Sequence, residues 1–202
     1  KTEEVTSFLI DKGFNASTYH AGLDGQVRKN VQNKFMTDQA HIVVATIAFG
    51  MGIDKPDIRF VIHLNLPGSV EAYSQEIGRA GRDGKASDTL LIYGLDDLVI
   101  RRRMIDENIS EEKFKFHENK RLDYLLSYCE TPECRRKVLL GYFDEKSENC
   151  NNCDNCLNPP ALIDGTILAQ KLLSTIYRTG QFFGQVHIIN VLRGSEDKKV
   201  FD

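Results

Sequence analysis

The chain has 202 residues, of which 41% are hydrophobic and 27% charged, and its formal net charge is −3. These values are those of an ordinary folded protein, with room for one sizeable core and a smaller module. The chain contains no run of about eighteen apolar residues and no secretory leader, which argues against a membrane span and against export. We therefore expect a cytoplasmic protein, and its acidity argues against a sequence-blind coat on nucleic acid.

Residues 1–93 alternate helical and extended patterns. After an opening helical segment, a second helix follows Asp24, which is a plausible N-cap. Four short apolar or β-branched runs predict extended segments, at residues 16–20, 42–45, 60–64 and 89–93. Strands that alternate with helices predict an α/β fold, in which helices cover both faces of a parallel sheet.

Polar residues follow the predicted strand at 42–45. Thr46 can donate its hydroxyl to a nucleic-acid phosphate, and Asp54 can accept from a ribose hydroxyl or orient an arginine. Gly52 lets another backbone or a ligand approach closely. Because ligands gather at the carboxyl ends of parallel strands, we expect these residues and the next helix to lie there together. In isolation, such a glycine-rich segment is only a loop.

The next pattern predicts a helix at residues 69–81 that presents phosphate-binding side chains on one face. Gln75, Arg79 and Arg82 lie at positions i, i+4 and i+7, so an amide and two guanidiniums would project together. Arginine stays charged at working pH, and its planar fork of donors suits the spread charge of a γ-phosphoryl group. The alternative is a fraying helix end with solvated arginines, but two Gly-Arg steps after an amide favour a nucleotide contact.

Beyond residue 93 the strand pattern stops, and three helical segments lead to a group of cysteines. We place a domain boundary near residue 102, followed by a unit of about sixty residues that is too small to rely on an apolar core alone. One cysteine on a helix and three in a tight loop offer four thiolates, which matches Zn²⁺ in a closed structural site. These candidate ligands are Cys134, Cys150, Cys153 and Cys156.

The cysteine spacing also leaves iron–sulfur ligation as an alternative. Such runs normally continue to a fourth cysteine followed by proline, whereas Leu157 and Asn158 follow Cys156 here, which favours zinc. The fifth cysteine, Cys129, lies five residues before Cys134, a position that suggests packing rather than ligation. After two prolines, helical patterns resume at residues 164–179 and 186–192.

Several of these segments resemble the RecQ-type helicases of superfamily 2. The run from Gln75 to Gly84, Gln-Glu-Ile-Gly-Arg-Ala-Gly-Arg-Asp-Gly, is similar to motif VI of that family, and residues 42–57 are similar to its motif V. Residues 19–23 resemble the segment before motif V. The cysteine group resembles the zinc module that follows the helicase core, and the last two helical patterns resemble the start of a winged-helix domain.

The resemblance implies three domains and roles for single residues. It implies a second RecA-like domain at 1–101, a helical zinc-binding module at 102–160 and an incomplete winged-helix domain at 161–202. In that family's pattern Arg82 is an arginine finger, and Arg79 and Gln75 contact the phosphates of bound ATP, while Gly52 and Asp54 also face the nucleotide. His20 would join Thr46 at the DNA surface, although a histidine at a strand end is more often structural.

The chain contains neither a Gly-x-x-x-x-Gly-Lys-Ser/Thr loop nor an Asp-Glu-x-His-type box. In RecQ-like enzymes these belong to a first RecA-like domain on the N-terminal side, which would bind most of ATP and Mg²⁺. The leading strand of the second RecA-like domain is also expected before Lys1. We therefore expect this chain by itself to have no ATPase activity.

The resemblance implies the C-terminal half of the motor of an ATP-dependent helicase that unwinds duplex DNA in the 3′ to 5′ direction. Its expected partners are single-stranded DNA, duplex junctions, ATP and the first RecA-like domain, and its setting is the bacterial nucleoid or the eukaryotic nucleus. The alternative is a non-catalytic, zinc-containing DNA-binding or assembly module with a RecA-like fold. Such a module has no need of paired phosphate-facing arginines. The cysteine group disfavours a related RNA helicase.

Overall fold

The computed structural model describes residues 1–46, 49 and 53–195. Helices and strands are interspersed as far as β4, with β2 and β3 consecutive, and in the described residues after β4 the regular elements are helices. In chain order the elements are α1 (Thr2–Asp11), β1 (Ala16–Tyr19), α2 (Gly25–Met36), β2 (Ile42–Ala45), β3 (Phe60–His63), α3 (Val70–Ile77), β4 (Asp88–Leu91), α4 (Leu95–Asn108), α5 (Glu112–Glu130), α6 (Arg135–Tyr142), α7 (Asp154–Leu157), α8 (Thr166–Arg178) and α9 (Gln185–Leu192).

The strands form parallel pairs, which confirms the predicted α/β class. β1 lies beside β2 with Ala16 opposite Ile42, and β3 lies beside β4 with Phe60 opposite Asp88. A parallel pair needs a crossover connection, and α2 and α3 each lie between the strands of one pair. In the part of the chain that the structure describes, hydrogen bonds join the strands as two separate pairs rather than as one continuous ladder.

Helix α2 begins where the sequence predicts. The carboxylate of Asp24 accepts a hydrogen bond of 2.8 Å from the backbone N–H of Gln26, so the predicted N-cap is confirmed. Val31 and Phe35, one turn apart, are the buried residues of this helix. The helix contacts β1 through this apolar face, as an amphipathic crossover helix must.

Helix α3 is shorter than predicted. Ser69 caps it, because its hydroxyl accepts from the backbone N–H of Ala72 at 3.2 Å, but the helix ends at Ile77 instead of residue 81. Gly81 has a φ of +67°, and a Cβ at this position would lie 2.9 Å from the carbonyl oxygen of Lys85. Only glycine accommodates both conditions, so the chain leaves the helix and turns through residues 78–84.

A buried hydrophobic cluster joins α3 to the helical unit that follows the strands. α3 packs on α5, and α5 also contacts α4 and α6. The cluster consists of six residues, Leu66, Val70, Tyr73, Leu122, Leu125 and Tyr128. Its members lie on both sides of residue 102, so the segment that carries the arginines and the helical unit share one core. The domain boundaries at 101 and 160 stay a prediction.

The last two helices, α8 and α9, pack against each other, and their bounds agree with the predicted helical patterns. Several of their apolar residues are exposed, including Leu173 and Val186. Among the described residues no helix has the length and apolar character that a membrane span requires.

The shared core predicts where the stability of the fold resides. Leu125→Ala should lower the free energy of unfolding by about 2–5 kcal/mol, because the side chain is fully buried and its loss leaves a cavity. Leu95→Ala is the matched control, since Leu95 is 77% exposed, and it should change that free energy by less than about 0.5 kcal/mol. Urea unfolding followed by circular dichroism measures both variants. Equal losses would contradict the assignment of the core.

Candidate nucleotide-binding and metal sites

The turn at residues 78–84 places Arg82 against Asp54. The Nη1 of Arg82 donates to Oδ1 of Asp54 at 2.9 Å, and its Nε donates to the carbonyl oxygen of Gly78 at 3.3 Å. The Arg82 side chain is 40% exposed and that of Asp54 is 89% exposed. An ion pair this exposed contributes about 0–1 kcal/mol to the stability of the fold. A phosphate can therefore replace the carboxylate as the partner of Arg82 with little loss of free energy.

Backbone hydrogen bonds attach this turn to the segment that leads into β3. The N–H of Gly81 donates to the carbonyl oxygen of Ile58 at 2.9 Å, and that of Asp83 donates to Pro56 at 3.1 Å. The turn therefore lies at the end where β3 begins. Helix α3 is about 12 Å long and returns the chain along a strand of about 13 Å, which explains this location. The sequence predicts the arginines at the carboxyl ends of the strands, and for the pair of β3 and β4 this expectation is wrong.

The three predicted phosphate-binding residues do not share one helical face. Gln75 is exposed on the last turn of α3, whereas Arg79 and Arg82 lie on the turn beyond it. Arg79 is half-buried and has interactions of its own. The helix-face argument fails because α3 ends at Ile77, but Arg82 and Asp54 do meet. Gly52 lies outside the described residues.

The two predicted DNA-binding residues lie at neighbouring strand ends. Tyr19 and Ala45 are opposite each other in the parallel pair of β1 and β2, so His20 and Thr46 follow at the same edge. Thr46 is exposed. The Nε2 of His20 lies 3.3 Å from Oε1 of Glu3, which gives this histidine a structural partner within the chain.

Two basic residues that sequence reasoning missed hold the segment between Asp54 and β3. Lys55 is only 8% exposed, and its ammonium donates to Asp38 at 2.7 Å and contacts Asp57 at 2.9 Å. These hydrogen bonds raise the pKa of Lys55. Arg59 donates to the carboxylate of Asp83 at 2.6 Å and so anchors the arginine turn. Asp38 and Asp83 lie 17 and 24 positions from these basic residues in the sequence, so no local pattern signals the two contacts.

The four predicted metal ligands come together in one cluster. The sulfur atoms of Cys134, Cys150, Cys153 and Cys156 all lie within 4.8 Å of one another. Two of the sulfur-to-sulfur distances, Cys150 to Cys156 and Cys134 to Cys153, are 4.0 Å. Ligands that share one tetrahedral Zn²⁺ at about 2.3 Å lie about 3.8 Å apart, so these sulfurs fit a single ion.

Backbone N–H groups point at the cysteine sulfurs. The N–H of Cys150 donates to Sγ of Cys134, and the N–H of Arg135 donates to Sγ of Cys153, both at 3.3 Å. Burial opposes ionisation of Cys134, but N–H groups, chiefly that of Cys150, outweigh it and lower its pKa to about 6. Burial instead raises the pKa of Cys156 to about 11. Four thiolates this close repel one another, so the cluster needs a cation to hold all four ionised.

Arg135 ties the cysteine loop to the end of α5. Its Nη2 donates to Oδ2 of Asp154 at 3.0 Å, while its Nη1 donates at 2.8 Å to each of two carbonyl oxygens, those of Tyr128 and Cys129. Cys129 lies outside the cluster of four, and burial raises the pKa of its thiol to about 11. This confirms that Cys129 packs rather than ligates.

Comparison with known proteins decides the family. Three family models match in succession, described as helicase conserved C-terminal domain at residues 1–84, RecQ zinc-binding at 95–157 and RQC domain at 159–202. The ATP-dependent DNA helicase RecQ of Haemophilus influenzae is 44% identical over 203 residues, which cover 100% of this chain and 33% of that protein. The chain belongs to the RecQ family.

A second RecQ relative agrees with this assignment. The ATP-dependent DNA helicase RecQ of Bacillus subtilis is 44% identical over 188 residues, which cover 93% of this chain and 32% of that protein. The chain thus spans about a third of the length of the curated RecQ relatives it matches. A solved DEAD box protein from Methanococcus jannaschii matches 52% of this chain and 30% of its own, with 33% identity and a TM-score of 0.42.

The RecQ zinc-binding match and the sulfur geometry together make the cysteine cluster a zinc site. Four cysteine ligands would fill all four positions of a tetrahedron around the ion and leave none for an activated water, which is the arrangement of a structural site. When bound, the ion crosslinks the helix that follows Cys134 to the loop that holds the other three ligands.

The zinc site predicts the metal content of the purified protein. The wild type should bind about one zinc ion per chain and be colourless, and Cys153→Ser should lower the zinc content to well under half, because three thiolates hold the ion far less tightly. Cys129→Ser is the matched control and should leave the zinc content unchanged, since Cys129 is no ligand. Plasma mass spectrometry and a visible absorption spectrum measure both. A brown protein that contains iron would contradict the assignment.

Proposed function

We propose that this chain is the C-terminal half of the motor of an ATP-dependent DNA helicase, with a structural zinc module beside it. The observation that carries the proposal is the exposed, weakly paired Arg82 at the end of the motif VI segment, where Asp54 holds it. The RecQ relatives are named ATP-dependent DNA helicases, which supports the same activity here.

Arg82 is the proposed arginine finger. Its guanidinium donates hydrogen bonds to the carboxylate of Asp54 and to the carbonyl oxygen of Gly78. Because the ion pair with Asp54 is exposed and weak, Arg82 can exchange it for a phosphate when a triphosphate approaches. A guanidinium at the γ-phosphoryl group stabilises the charge of the transition state, and such a residue is worth about 10³–10⁵ in turnover. Gln75 and Arg79 are the proposed contacts of the ground-state phosphates, and Gly52 and Asp54 are proposed as further nucleotide contacts.

A first RecA-like domain would supply the rest of the ATP site. It would bind most of the nucleotide and the Mg²⁺ ion, which neutralises charge on the phosphates. Closing of the cleft between the two domains would bring Arg82 to the γ-phosphate, and hydrolysis would let the cleft relax. Because the same lobe would hold both DNA and the arginine turn, closing and opening would move the strand.

The proposed DNA contacts lie at the carboxyl ends of β1 and β2. The exposed hydroxyl of Thr46 can donate to a backbone phosphate, and His20 lies beside it at the same edge. Contacts of this kind bind DNA of any sequence, as a motor that moves along a single strand requires.

The proposed 3′ to 5′ direction of movement rests on family resemblance. A DNA substrate would place the enzyme in a bacterial nucleoid or a eukaryotic nucleus.

The arginine-finger assignment is tested in the full-length enzyme. Arg82→Ala should reduce ATP turnover by about a thousandfold or more and abolish unwinding, yet change the affinity for ATP by less than about threefold, because the contact matters in the transition state. Arg103→Ala is the matched control, since Arg103 is an exposed arginine on α4 that pairs with Glu107, and it should leave both activities intact. Phosphate release and strand separation measure the two activities. Unimpaired unwinding by Arg82→Ala would favour the alternative of a non-catalytic DNA-binding module.

The 202-residue chain by itself should hydrolyse no ATP above background, because it contains no phosphate-cradling loop. A phosphate-release assay on the purified chain, with the full-length enzyme as the positive control, measures this. Turnover that Arg82→Ala removes from the isolated chain would contradict the proposed division of labour.

A further inference from the structure

Helix α3 is held at its first turn by two other helices. Oε1 of Glu71 accepts a hydrogen bond from the hydroxyl of Tyr142 at 2.8 Å, and Oε2 accepts one from Nη2 of Arg121 at 3.5 Å. Tyr142 is the last residue of α6, and Arg121 lies on α5. One carboxylate on α3 therefore joins three helices at a single point.

The contact with Tyr142 leads to the zinc site through a rigid element. Cys134, a zinc ligand, is the N-cap of α6, and its carbonyl oxygen accepts from the N–H of Val138 inside that helix. α6 has eight residues, about 12 Å, so Tyr142 stands at the far end of the helix that starts at the ligand. Helix α6 therefore connects the backbone of Cys134 to the side chain that contacts Glu71.

The bond between Glu71 and Tyr142 is charge-assisted. Burial works against ionisation of Glu71, but hydrogen bonds, first that of Ser69, and the nearby Arg121 outweigh it and lower its pKa to about 2. Burial and the adjacent carboxylate of Glu71 raise the pKa of Tyr142, so its hydroxyl keeps the proton that it donates. A phenol that donates to a carboxylate makes one of the stronger hydrogen bonds in proteins.

The opposite end of α3 carries the proposed phosphate contacts. Tyr73 is buried against Tyr128 of α5, with ring centroids 5.5 Å apart, so the middle of α3 is fixed by packing. Gln75 is exposed on the last turn, and the arginine turn follows it. Along its eight residues, α3 connects a contact with the zinc module at one end to the nucleotide-facing residues at the other.

We propose that Glu71 and Tyr142 are positioning residues that couple the zinc module to the segment from Gln75 to Arg82. The effect of this coupling on catalysis rests on the proposed function. Without the bond, α3 loses its tie to α6 and the arginines lose their fixed location, and a misplacement of about 1 Å costs about 100-fold in rate. The coupling is reciprocal, so the same bond also restrains Cys134 and slows the release of zinc.

The catalytic arm uses the zinc-loaded, full-length protein. Tyr142→Phe removes one oxygen atom and keeps the ring, and it should lower kcat for ATP about 5- to 20-fold with a change of less than about twofold in KM. Glu71→Ala should have at least as large an effect, since it also removes the contact with Arg121, and the double variant should be no worse than Glu71→Ala, because both single changes remove the bond between Glu71 and Tyr142. Tyr124→Phe is the matched control, since it removes the same hydroxyl from a neighbouring ring whose centroid lies 5.8 Å from that of Tyr142.

The zinc arm needs no ATPase activity. Transfer of zinc to the chromogenic chelator 4-(2-pyridylazo)resorcinol is followed by absorbance, and it should be about 3- to 10-fold faster for Tyr142→Phe and Glu71→Ala than for the wild type and Tyr124→Phe. Melting temperatures are measured in parallel. If a residue had a merely structural role, its substitution would lower the melting temperature but would leave kcat unchanged at temperatures where the protein is still folded.

The outcomes separate the two proposals. If the wild-type enzyme has no ATP turnover, the proposed function fails, and zinc release alone decides whether the bond couples α3 to the zinc site. If turnover is present, both kcat and zinc release must change in Tyr142→Phe, and an unchanged value of either one overturns the coupling. Should Glu71→Ala fail to fold, the single-atom change in Tyr142→Phe still decides.

Discussion

The packing of α3 on α5 is the contact on which the rest of the arrangement depends. An isolated helix of eight residues is not stable in water, so α3 exists because Val70 and Tyr73 bury their side chains against Leu122 and Leu125. The arginine turn follows directly from the end of this helix. The position of the proposed catalytic residues is thus set by an apolar core that also belongs to the zinc-bearing unit.

The zinc site and this core reinforce each other. Few residues between α5 and α8 are fully buried, and a unit of this size gains little stability from apolar packing alone. Four cysteine ligands replace the missing core, and Arg135 connects their loop to the carbonyl oxygens at the end of α5. Tyr128 belongs both to the core and to the surroundings of Arg135, whose guanidinium carbon lies 6.0 Å from the ring centroid. Metal binding therefore stabilises the helix against which α3 packs.

The charged residues near the arginine turn fall into a fixed and an exchangeable class. Lys55 is buried and held by two carboxylates, and Arg59 spans from the segment before β3 to Asp83, so both fasten the backbone. Arg82 has one exposed carboxylate partner and loses little when it exchanges that partner for a phosphate. Fixed charges around one exchangeable arginine are what the proposed role of Arg82 requires, because that residue would have to change partners when ATP is bound.

The amino-acid sequence by itself determined the features that depend on short-range spacing. Alternating patterns predict the strands and helices, Asp24 predicts the start of α2, and the spacing of three cysteines predicts the metal loop, because each signal lies within a few residues of its effect. The order of motifs also identified the RecQ family. Only the tertiary structure decided that α3 ends at Ile77, since the N–H of Gly81 is bonded to the carbonyl oxygen of Ile58 and the carbonyl oxygen of Lys85 leaves no room for a Cβ there. It alone decided that Lys55 meets Asp38, that Arg59 meets Asp83 and that Glu71 meets Tyr142, because folding and not local pattern brings together residues 17 to 71 positions apart.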